Sequence, residues 1–432
     1  METPRGEWAA TAEEYESQLA QKVQAVSRLL APCVDPALLE LPGLEMRRSP
    51  VKHFRARTVV AVGLEHQADA ASSSGLFRLV PSAGCAGLRL VANLPVETLL
   101  EPVAAALPAL ARLLDTGAPG AAGRTAGVLL PGLRCVKLHA ALGGEPRGML
   151  LSLVYGPDAA VAAAGAADNL DAALWDFRER LSAELSAGGT PASLAVMAQA
   201  RGLQRCVPDG QDFVDEQLHI AGRGVVRYRQ PFGSFSNPNP HIAVATAEWL
   251  LDVIRTSVNC GAETGTDLLE LYCGAGSHTV ALAPAFRHVL AVEINRHLVE
   301  GAKYNTAANG LENVTVVRAP SEEFCRRVVR RRGYELRHDD GSVKMQLRFG
   351  CTVLDPPRAG LDRVTREAVK GYDHLLYVSC NPEALRGDLE DLASTHEVRR
   401  LVLLDHFPFS AHVETAVYLR RREPAPVGAG PG

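Results

Sequence analysis

The chain has 432 residues, a length that indicates two or three domains because a domain usually holds about 100 to 200 residues. Its 47% hydrophobic and 22% charged residues can form a substantial core, which excludes a largely disordered protein. The 45 Lys and Arg against 49 Asp and Glu give a formal net charge of −4, without the strongly basic balance typical of nucleic-acid-binding domains.

The nine cysteines lie singly along the chain, and none forms the CxxC pair of zinc ribbons and iron–sulfur ferredoxins. We therefore expect reduced thiols and neither a metal nor an iron–sulfur cluster. No apolar run is long enough to span a bilayer, and the acidic start lacks the pattern of a signal or transit peptide. These features predict a cytoplasmic protein without a membrane partner.

The first half of the chain, residues 1–211, predicts an α+β domain. A helix is expected over Glu13–Leu30, where apolar residues recur at helical spacing. Segments with strand-like alternation include Thr58–Val62 and Cys135–His139, and we expect an antiparallel sheet with a few helices. The Gly-, Ala- and Pro-rich segment Asp115–Gly127 is expected to be a loop.

The second half, residues 212–423, predicts regularly alternating strands and helices, which imply a parallel sheet with helices on both faces. The strand candidates are Asp267–Tyr272, His288–Glu293, Asn313–Arg318, Cys351–Asp355, His374–Ser379, Val398–Asp405 and His412–Arg420. The short connection HFPFSA makes the last two antiparallel neighbours. Seven such strands predict the α/β fold of class I methyltransferases, and residues 424–432 are expected to be a disordered tail.

A glycine loop follows the first of these strands. Gly274 and Gly276 allow the backbone to approach a ligand at the carboxyl end of the strand, where open α/β sheets bind ligands. Thr279 stands where dinucleotide-binding loops need a third small residue, and Glu270 precedes the glycines. An acid there favours a cationic cofactor such as S-adenosylmethionine over a pyrophosphate. The missing third glycine and the later DPPR and SCNP segments argue against a nicotinamide-dependent oxidoreductase.

Three further residues are candidates for the same cofactor. Glu293 ends the second strand, where a carboxylate can accept from both ribose hydroxyls, and Tyr272 and Ser277 border the glycine loop. The alternative is that these residues only pack an ordinary strand–turn–helix unit.

Three short motifs, DPPR, SCNP and HVE, lie at the ends of later strands. Because parallel strands end at one edge and the antiparallel last strand begins there, we expect Asp355, Cys380 and Glu414 to converge beside the cofactor. Pro382 suits the first turn of a helix, so Cys380 precedes a helix N-terminus, where the pKa of a thiol is lowered. The other cysteines are interpreted as packing residues.

Glu414 interrupts an otherwise apolar strand, where a carboxylate is unfavourable unless it is paired or functional. An ion pair with an arginine is the structural alternative. Beside a methyl donor, a thiolate and a carboxylate suit methylation of a pyrimidine at C5. Addition of Cys380 to C6 generates an enolate that attacks the methyl group, and Glu414 then removes the C5 proton.

The motifs ELYCGAG, LDPPRAGLD, YVSCNPEAL and HFPFSAHVET resemble the uridine-C5 RNA methyltransferases. The resemblance extends through SPVKHFRAR, FVDEQLHIAG, SFSNPN and QLAQKV, covers nearly the whole chain, and is strongest to the TrmA-type tRNA (uracil-5-)-methyltransferases. It implies S-adenosylmethionine as cofactor and tRNA as substrate, with ribothymidine formed in the T-loop.

By this resemblance the nucleophile is Cys380 and the proton-abstracting carboxylate is Glu414. The implied contacts to S-adenosylmethionine are Asn237, Tyr272, Ser277, Glu293 and Asp355. The family usually has Gln in place of Asn237 and Asn in place of Ser277, and Arg134 lies near the position of an aromatic residue that stacks on the target base. These departures shorten two polar side chains and leave the stacking residue unassigned.

A uridine inside folded RNA must be extruded to reach Cys380. The segment Met46–Arg57 holds five basic residues and no acid, and we expect it to contact phosphates; its basic residues are Arg47, Arg48, Lys52, Arg55 and Arg57. Phe235 and Arg358 are expected to help hold the substrate. The alternatives are a solvated charged face and structural packing.

Two other functions remain open. An rRNA methyltransferase of the same fold is one, although related rRNA enzymes often carry a cysteine-ligated iron–sulfur cluster and an extra N-terminal β-barrel that have no counterpart here. The other is a non-catalytic RNA-binding or RNA-folding protein, against which the presence of both Cys380 and Glu414 argues. We expect a monomer.

Overall fold

The computed structural model describes residues 11–40, 42–62, 77–81, 88–92, 96–116, 118, 120–156, 167–234, 237–258, 266–331, 334–337, 340 and 342–423. The chain forms two compact units. The first unit consists of Met1–Glu14, Pro50–Leu218 and Arg229–His241, and the second of Tyr15–Ser49, His219–Tyr228 and Ile242–Gly432. The predicted disordered tail lies outside the described residues.

The second unit contains an eight-stranded sheet in the order β1-β18-β19-β17-β16-β11-β12-β13. Its strands are β1 (Leu44–Arg47), β11 (Asp267–Leu271), β12 (His288–Glu293), β13 (Val314–Arg318), β16 (Phe349–Leu354), β17 (His374–Ser379), β18 (His396–Leu404) and β19 (Glu414–Arg421). All pairings are parallel except those of β19, which is antiparallel to both neighbours. The predicted class I methyltransferase fold is confirmed.

Helices accompany this sheet in the βα order that the sequence predicts. They are Pro240–Val253, Ser277–Leu282, Arg296–Ala308, Ser321–Arg331, Arg363–Val369 and Pro382–Leu392. Every residue of β11 and β12 is buried, as expected for central strands covered on both faces. Side chains at the helix starts accept backbone N–H groups, as Asn295 and Asn381 do.

The N-terminal helix from Tyr15 onward and β1 belong to the second unit, although the sequence pattern predicts a first domain that extends to residue 211. The helix Ala12–Leu30 has the predicted bounds to within one residue, and β1 pairs in parallel with β18. The physical reason is that β18 would otherwise leave an open sheet edge, which β1 satisfies. The basic stretch Met46–Arg57 is consequently divided between the units.

The first unit contains a seven-stranded sheet in the order β4-β3-β2-β5-β6-β7-β8. Its strands are β2 (Arg57–Val62), β3 (Phe77–Pro81), β4 (Leu88–Ala92), β5 (Leu133–Ala140), β6 (Arg147–Tyr155), β7 (Ala192–Ala200) and β8 (Leu203–Val207). Three helices, Glu101–Leu113, Ala121–Leu129 and Ala167–Ala187, contribute to its apolar core together with Val136 and Leu151.

Two predictions for this unit are wrong. The sheet is mixed rather than antiparallel, because β2–β3 and β6–β7 are parallel and β7 follows the crossover helix Ala167–Ala187. The segment Asp115–Gly127, expected to be a loop, overlaps the helix Ala121–Leu129, which is stabilised by burying Leu129 in the core.

Two hairpins were not predicted. The hairpin β9 (Phe213–Ile220) with β10 (Gly224–Pro231) lies where the chain passes between units, and β14 (Tyr334–Arg337) with β15 (Val343–Leu347) precedes β16. Within the described ranges, no helix has both the length and the apolar character needed to cross a membrane.

Candidate active site

The candidate site lies at the edge of the second unit's sheet where β11, β16 and β17 end and β19 begins. Leu271 pairs with Leu354, and Leu354 pairs with Tyr377, so these three strands end together. Across the antiparallel pair, Ser379 lies opposite Thr415. Cys380 directly follows Ser379 and Glu414 directly precedes Thr415, so the register brings the end of β17 and the start of β19 side by side at these two residues.

The glycine loop adopts a left-handed backbone at three positions. The φ angles are +62° at Tyr272, +57° at Gly274 and +84° at Gly276. A Cβ at Gly276 would lie 3.3 Å from the Cβ of Ala302, so this glycine allows two helices to approach closely. Nothing lies within 4 Å of a Cβ built on Gly274, so the chain leaves space over the loop.

Glu293 connects the end of β12 to this loop. Its buried carboxylate accepts hydrogen bonds from the backbone N–H of Gly274 at 3.1 Å and from that of Asn295 at 2.7 Å. The predicted ribose-binding carboxylate therefore lies beside the glycines and is held by backbone donors on both oxygens.

Two buried carboxyl groups line the same edge. Glu270 is 1% exposed and accepts from Thr279 Oγ1 at 2.6 Å, and burial raises its pKa to about 7. Glu414 is 4% exposed, and burial followed by the charge of Asp355 raises its pKa to about 8. One oxygen of each, Oε1, has no hydrogen-bond partner among the described residues.

Two buried histidines face these acids. His278 is 8% exposed and its Nε2 lies 3.4 Å from Oδ2 of Asp355. Burial alone would lower the pKa of His278. The hydrogen bond and charge of Asp355, together with the charges of Glu270 and Glu414, outweigh burial and raise this pKa. His406 is 1% exposed and its Nε2 lies 3.5 Å from Oε2 of Glu414.

Cys380 occupies the predicted place before a helix, but not with the predicted acidity. Asn381 caps the helix Pro382–Leu392, accepting from the N–H of Glu383 at 3.2 Å, with Pro382 in the first turn. Burial raises the pKa of the half-buried Cys380 thiol, and the charges of Glu414 and Asp355 raise it further. The expected lowering by the helix terminus is wrong for this structure, because desolvation and two carboxylates outweigh it.

Hydrogen bonds connect the loop that contains DPPR, after β16, to the segment that follows β17 and contains Cys380. Asn381 Nδ2 donates to the carbonyl of Arg358 at 2.9 Å. Oδ2 of the buried Asp388 accepts from the N–H of Leu361 at 2.9 Å and from the hydroxyl of Tyr377 at 2.6 Å. The Arg358 guanidinium then lies with Nη2 3.4 Å from the His412 ring, next to the catalytic candidates.

The residues at this edge fit a cationic cofactor. Four acids lie at this edge, namely Glu270, Glu293, Asp355 and Glu414, and two of their oxygens, Oε1 of Glu270 and Oε1 of Glu414, have no protein donor among the described residues. Tyr272 opens the glycine loop with its hydroxyl 3.5 Å from Asp362 Oδ2, and burial raises its pKa to about 12. Ser277 is exposed at the start of its helix.

Asn237 lies in the first unit, where its amide oxygen is buried without a hydrogen-bond partner among the described residues. Phe235 lies outside the described residues. In the part of the chain that the structure describes, no group of three or more His, Cys, Asp or Glu residues could hold a metal ion.

The residues of the basic stretch are divided between the two units. Arg47 and Arg48 belong to the second unit, where Arg48 pairs with Glu16, while the other three residues belong to the first. There, Lys52 Nζ lies 2.8 Å from Glu97. Arg57 donates to the carbonyl of Ser234 at 3.2 Å, and the largely buried Arg55 donates to the carbonyl of Arg57 at 3.0 Å.

Sequence reasoning missed the two histidines of the site and the residues that position its loops. His278 directly follows the serine of the glycine loop, and His406 lies in HFPFSA, so their place in the motifs was the available signal. Nothing in the sequence marked Asp388, because its partners are brought to it only by folding.

Comparison with known proteins identifies a family. A sequence profile described as "tRNA (Uracil-5-)-methyltransferase" matches residues 168–422. The tRNA/tmRNA (uracil-C(5))-methyltransferase of Aeromonas salmonicida is 34% identical over 412 residues, covering 95% of this chain and 96% of that protein. The enzyme of the same name from Neisseria meningitidis is 32% identical over 411 residues, covering 95% and 99%.

Among solved structures, the chain resembles Pyrococcus abyssi tRNA (uracil-54, C5)-methyltransferase in complex with S-adenosyl-L-homocysteine. The TM-score is 0.60 at 18% identity, with 97% of this chain and 87% of the other covered. At this identity the likeness concerns the fold.

Proposed function

Because the chain belongs to the tRNA (uracil-5-)-methyltransferase family, we propose that it methylates C5 of a uridine in the tRNA T-loop through a covalent intermediate on Cys380. Family membership and fold make it an S-adenosylmethionine-dependent RNA uracil-C5 methyltransferase. The register that brings Cys380, the residue after β17, beside Glu414 at the start of β19 is the observation that supports the covalent mechanism.

The proposed cofactor contacts are the loop residues Tyr272, Gly274, Gly276 and Ser277, together with Asn237, Glu293 and Asp355. When bound, S-adenosylmethionine supplies an electrophilic methyl group on a cationic sulfur. The acids of the site complement that charge, and the left-handed glycines keep side chains away from the space above β11.

Cys380 has the role of nucleophile. Its thiolate adds to C6 of the uracil, the new S–C6 bond forms, and the electrons of the C5–C6 double bond move toward the C4 oxygen to give an enolate. C5 thereby becomes nucleophilic enough to accept a methyl group. The helix Pro382–Leu392 and the Asn381 cap hold the Cys380 backbone in place for this attack.

Glu414 has the role of base. After C5 is methylated, its carboxylate removes the C5 proton, the electrons of the C–H bond restore the C5–C6 double bond, and the Cys380 thiolate leaves. The charge of Arg358 lowers the pKa of Glu414 and so counteracts the increase that burial causes. Arg358, on the exposed side of the pair, is also proposed to contact the substrate RNA.

The RNA contacts proposed for the first unit are Lys52, Arg55 and Arg57, with Phe235, and for the second unit Arg47 and Arg48. Arg48 and Lys52 form ion pairs at the surface. Such pairs contribute little free energy, so phosphate contacts can replace them at low cost. A cytoplasmic monomer acting on tRNA is part of the same proposal.

The test is covalent trapping with T-loop RNA that carries 5-fluorouridine. Fluorine replaces the C5 hydrogen, so the base has no proton to remove and the Cys380 adduct cannot be released. We expect an adduct that survives denaturing electrophoresis and contains the transferred methyl group. Cys380→Ala is expected to abolish the adduct and to lower methyl transfer by at least about a thousandfold, whereas Cys33→Ala, at a half-buried cysteine outside the site, retains both. Unchanged methyl transfer by Cys380→Ala would refute the mechanism.

Glu414→Gln separates the two chemical steps. With ordinary uridine, this variant is expected to accumulate the methylated adduct and to turn over at least about a hundredfold more slowly, because only product release requires the base. Normal turnover would remove Glu414 from that role. Replacing the T-loop RNA by an rRNA fragment tests the substrate: preferential methylation of rRNA would overturn the tRNA assignment.

A further inference from the structure

We infer that His406 is a positioning residue for the proposed base: its Nε2 holds one oxygen of the Glu414 carboxyl group and leaves the other oxygen for the C5 proton of the uracil. The inference rests on the proposed role of Glu414. It assigns a function to a buried histidine that the proposed mechanism does not otherwise use.

His406 and Glu414 are buried against each other. Nε2 of His406 lies 3.5 Å from Oε2 of Glu414, and the two side chains are 0% and 5% exposed. This distance is within ion-pair range and long for a hydrogen bond. Contacts between catalytic groups are often long before substrate binds and tighten in the complex. Because Oε1 of Glu414 has no hydrogen-bond partner among the described residues, it is the oxygen left for the substrate.

The backbone on both sides of His406 is fixed. His406 lies in the connection between β18 and β19. The ammonium of Lys22 donates to Oδ1 of Asp405 at 2.6 Å and to the carbonyl of Phe407 at 2.8 Å, so both chain neighbours of His406 are bound to the N-terminal helix. A side chain on such a fixed backbone loses less conformational freedom when it holds a partner, which suits a positioning role.

His406 differs from the other charged groups around Glu414. Those groups, Asp355, His278 and Arg358, act on Glu414 through their charges. Of the basic side chains that the structure describes, the imidazole of His406 is the one within ion-pair distance of the Glu414 carboxyl group. Direct contact is what orients a carboxyl group, so the orientation of Glu414 is assigned to His406.

The contact suits both protonation states that Glu414 passes through. A neutral imidazole donates from Nε2–H to a carboxylate, and in its other tautomer it accepts from a carboxylic acid at the same nitrogen. The amide of glutamine likewise offers a donor and an acceptor, whereas leucine offers neither. Replacement of His406 by each of these residues therefore separates the contact from the space that the ring fills.

The experiment compares His406→Leu with the wild type in the full-length protein. Multiple turnover on T-loop RNA requires both Cys380 and Glu414, whereas trapping by 5-fluorouridine RNA requires Cys380 and bypasses the base. We expect His406→Leu to lower kcat by about tenfold to a hundredfold, because a misplaced base slows proton removal. KM for the RNA and the rate of trapping should stay unchanged, and the methylated adduct should accumulate on ordinary uridine.

His406→Gln tests the contact itself. Because the amide replaces the donor and the acceptor of the ring, this variant is expected to recover most of the lost turnover and to release the adduct. A glutamine variant as slow as His406→Leu would overturn the inference. Unchanged turnover in His406→Leu, or an equal loss of turnover and trapping, would overturn it as well.

His396→Leu is the matched control, because His396 is equally buried at 1% exposure but lies at the other end of β18, with Nε2 2.8 Å from the carbonyl of Tyr372. It is expected to lower stability while the folded protein keeps its kcat and accumulates no adduct. If His406→Leu does not fold, His406→Met is measured with the same expectations, since methionine fills the space without an N–H donor.

Failure of the proposed function has a different signature. The wild type would then form no adduct, Cys380→Ala would still form it, or Glu414→Gln would turn over normally. Trapping in the wild type and adduct accumulation in Glu414→Gln, together with normal turnover in the His406 variants, contradict the inference alone.

Discussion

For single residues, the acidity of the proposed catalytic groups depends on the burial and the charges that folding brings near them. Cys380 lies before a helix as predicted, yet burial, Glu414 and Asp355 raise the pKa of its thiol. Burial and the charge of Asp355 also raise the pKa of Glu414. A cationic ligand beside these groups would favour both ionised forms, so the site is electrostatically suited to become reactive when its cofactor is bound.

Gly360 lies beside the carboxylate of Asp388 in a left-handed backbone conformation. Its φ is +77°, and a Cβ there would lie 2.7 Å from Oδ2 of Asp388, the oxygen that holds Leu361 and Tyr377. Gly360→Ala is expected to lower the free energy of unfolding by about 1 to 2 kcal/mol from the left-handed backbone, and by about 1 to 3 kcal/mol more from disturbed hydrogen bonds of Asp388.

The matched control is Gly310→Ala, because Gly310 has a φ of +65° and nothing lies within 4 Å of the added Cβ. It should show the backbone effect alone. Urea unfolding of both variants measures the difference, and equal losses would mean that Asp388 adapts without consequence.

At the scale of elements, the N-terminal helix and β1 complete the catalytic unit. Lys22, 4% exposed, donates from Nζ to Asp405 Oδ1 at 2.6 Å and to the carbonyl of Phe407 at 2.8 Å. Glu45 on β1 accepts from Arg400 on β18 at 2.8 and 3.0 Å. The helix therefore holds the connection between β18 and β19, the segment that ends at Glu414.

Lys22→Met tests this element. Removing the ammonium leaves the buried carboxylate of Asp405 without its cation, which is expected to lower the free energy of unfolding by about 3 to 5 kcal/mol. The double variant Lys22→Met with Asp405→Leu should lose less than the single one, because no unpaired charge remains. Denaturant unfolding of the single and double variants measures the coupling, and additive losses would show that the pair is not coupled.

At the scale of the whole molecule, stability depends on acids that are buried when the chain folds. The pKa of Glu414 is raised from 4.5 to about 8 and that of Glu270 to about 7. Below about pH 4.5 each is protonated in folded and unfolded chains alike. As pH rises toward 8 only the unfolded chain ionises freely, so the stability contributed by these groups is lost over that interval.

Glu414→Gln is therefore expected to be more stable than the wild type by a margin that grows between pH 5 and pH 8 and then levels off. Urea midpoints at pH 5, 7 and 9 measure this margin. Glu383→Gln is the control, since its side chain is exposed and the substitution changes no buried charge. A margin for Glu414→Gln that is constant with pH would contradict the burial effect.

The fold of the second unit and its candidate site were predictable because their signals are local. Each catalytic candidate directly follows or begins a strand with a clear apolar pattern, and the short connection before β19 determines its antiparallel direction. The mixed sheet of the first unit and the helix Ala121–Leu129 were not predictable in this way. The parallel pairing of β6 with β7 depends on how the helix between them packs. The helix Ala121–Leu129 depends on burial of Leu129 in the core, which offsets the weak helix preference of its Gly-rich sequence.

The order of apolar strands and helices along the chain was enough to predict the α/β methyltransferase fold, and the residue types at the strand ends were enough to propose the glycine loop, Cys380 and Glu414 as the candidate site. The folded structure was needed to show that β1 joins the sheet of the candidate site, that Lys22 meets a carboxylate 383 residues away, and that His278 lies against Asp355. The reason is physical: ionisation and positioning depend on burial and on charges a few ångströms away, and folding assembles those neighbours from distant parts of the chain.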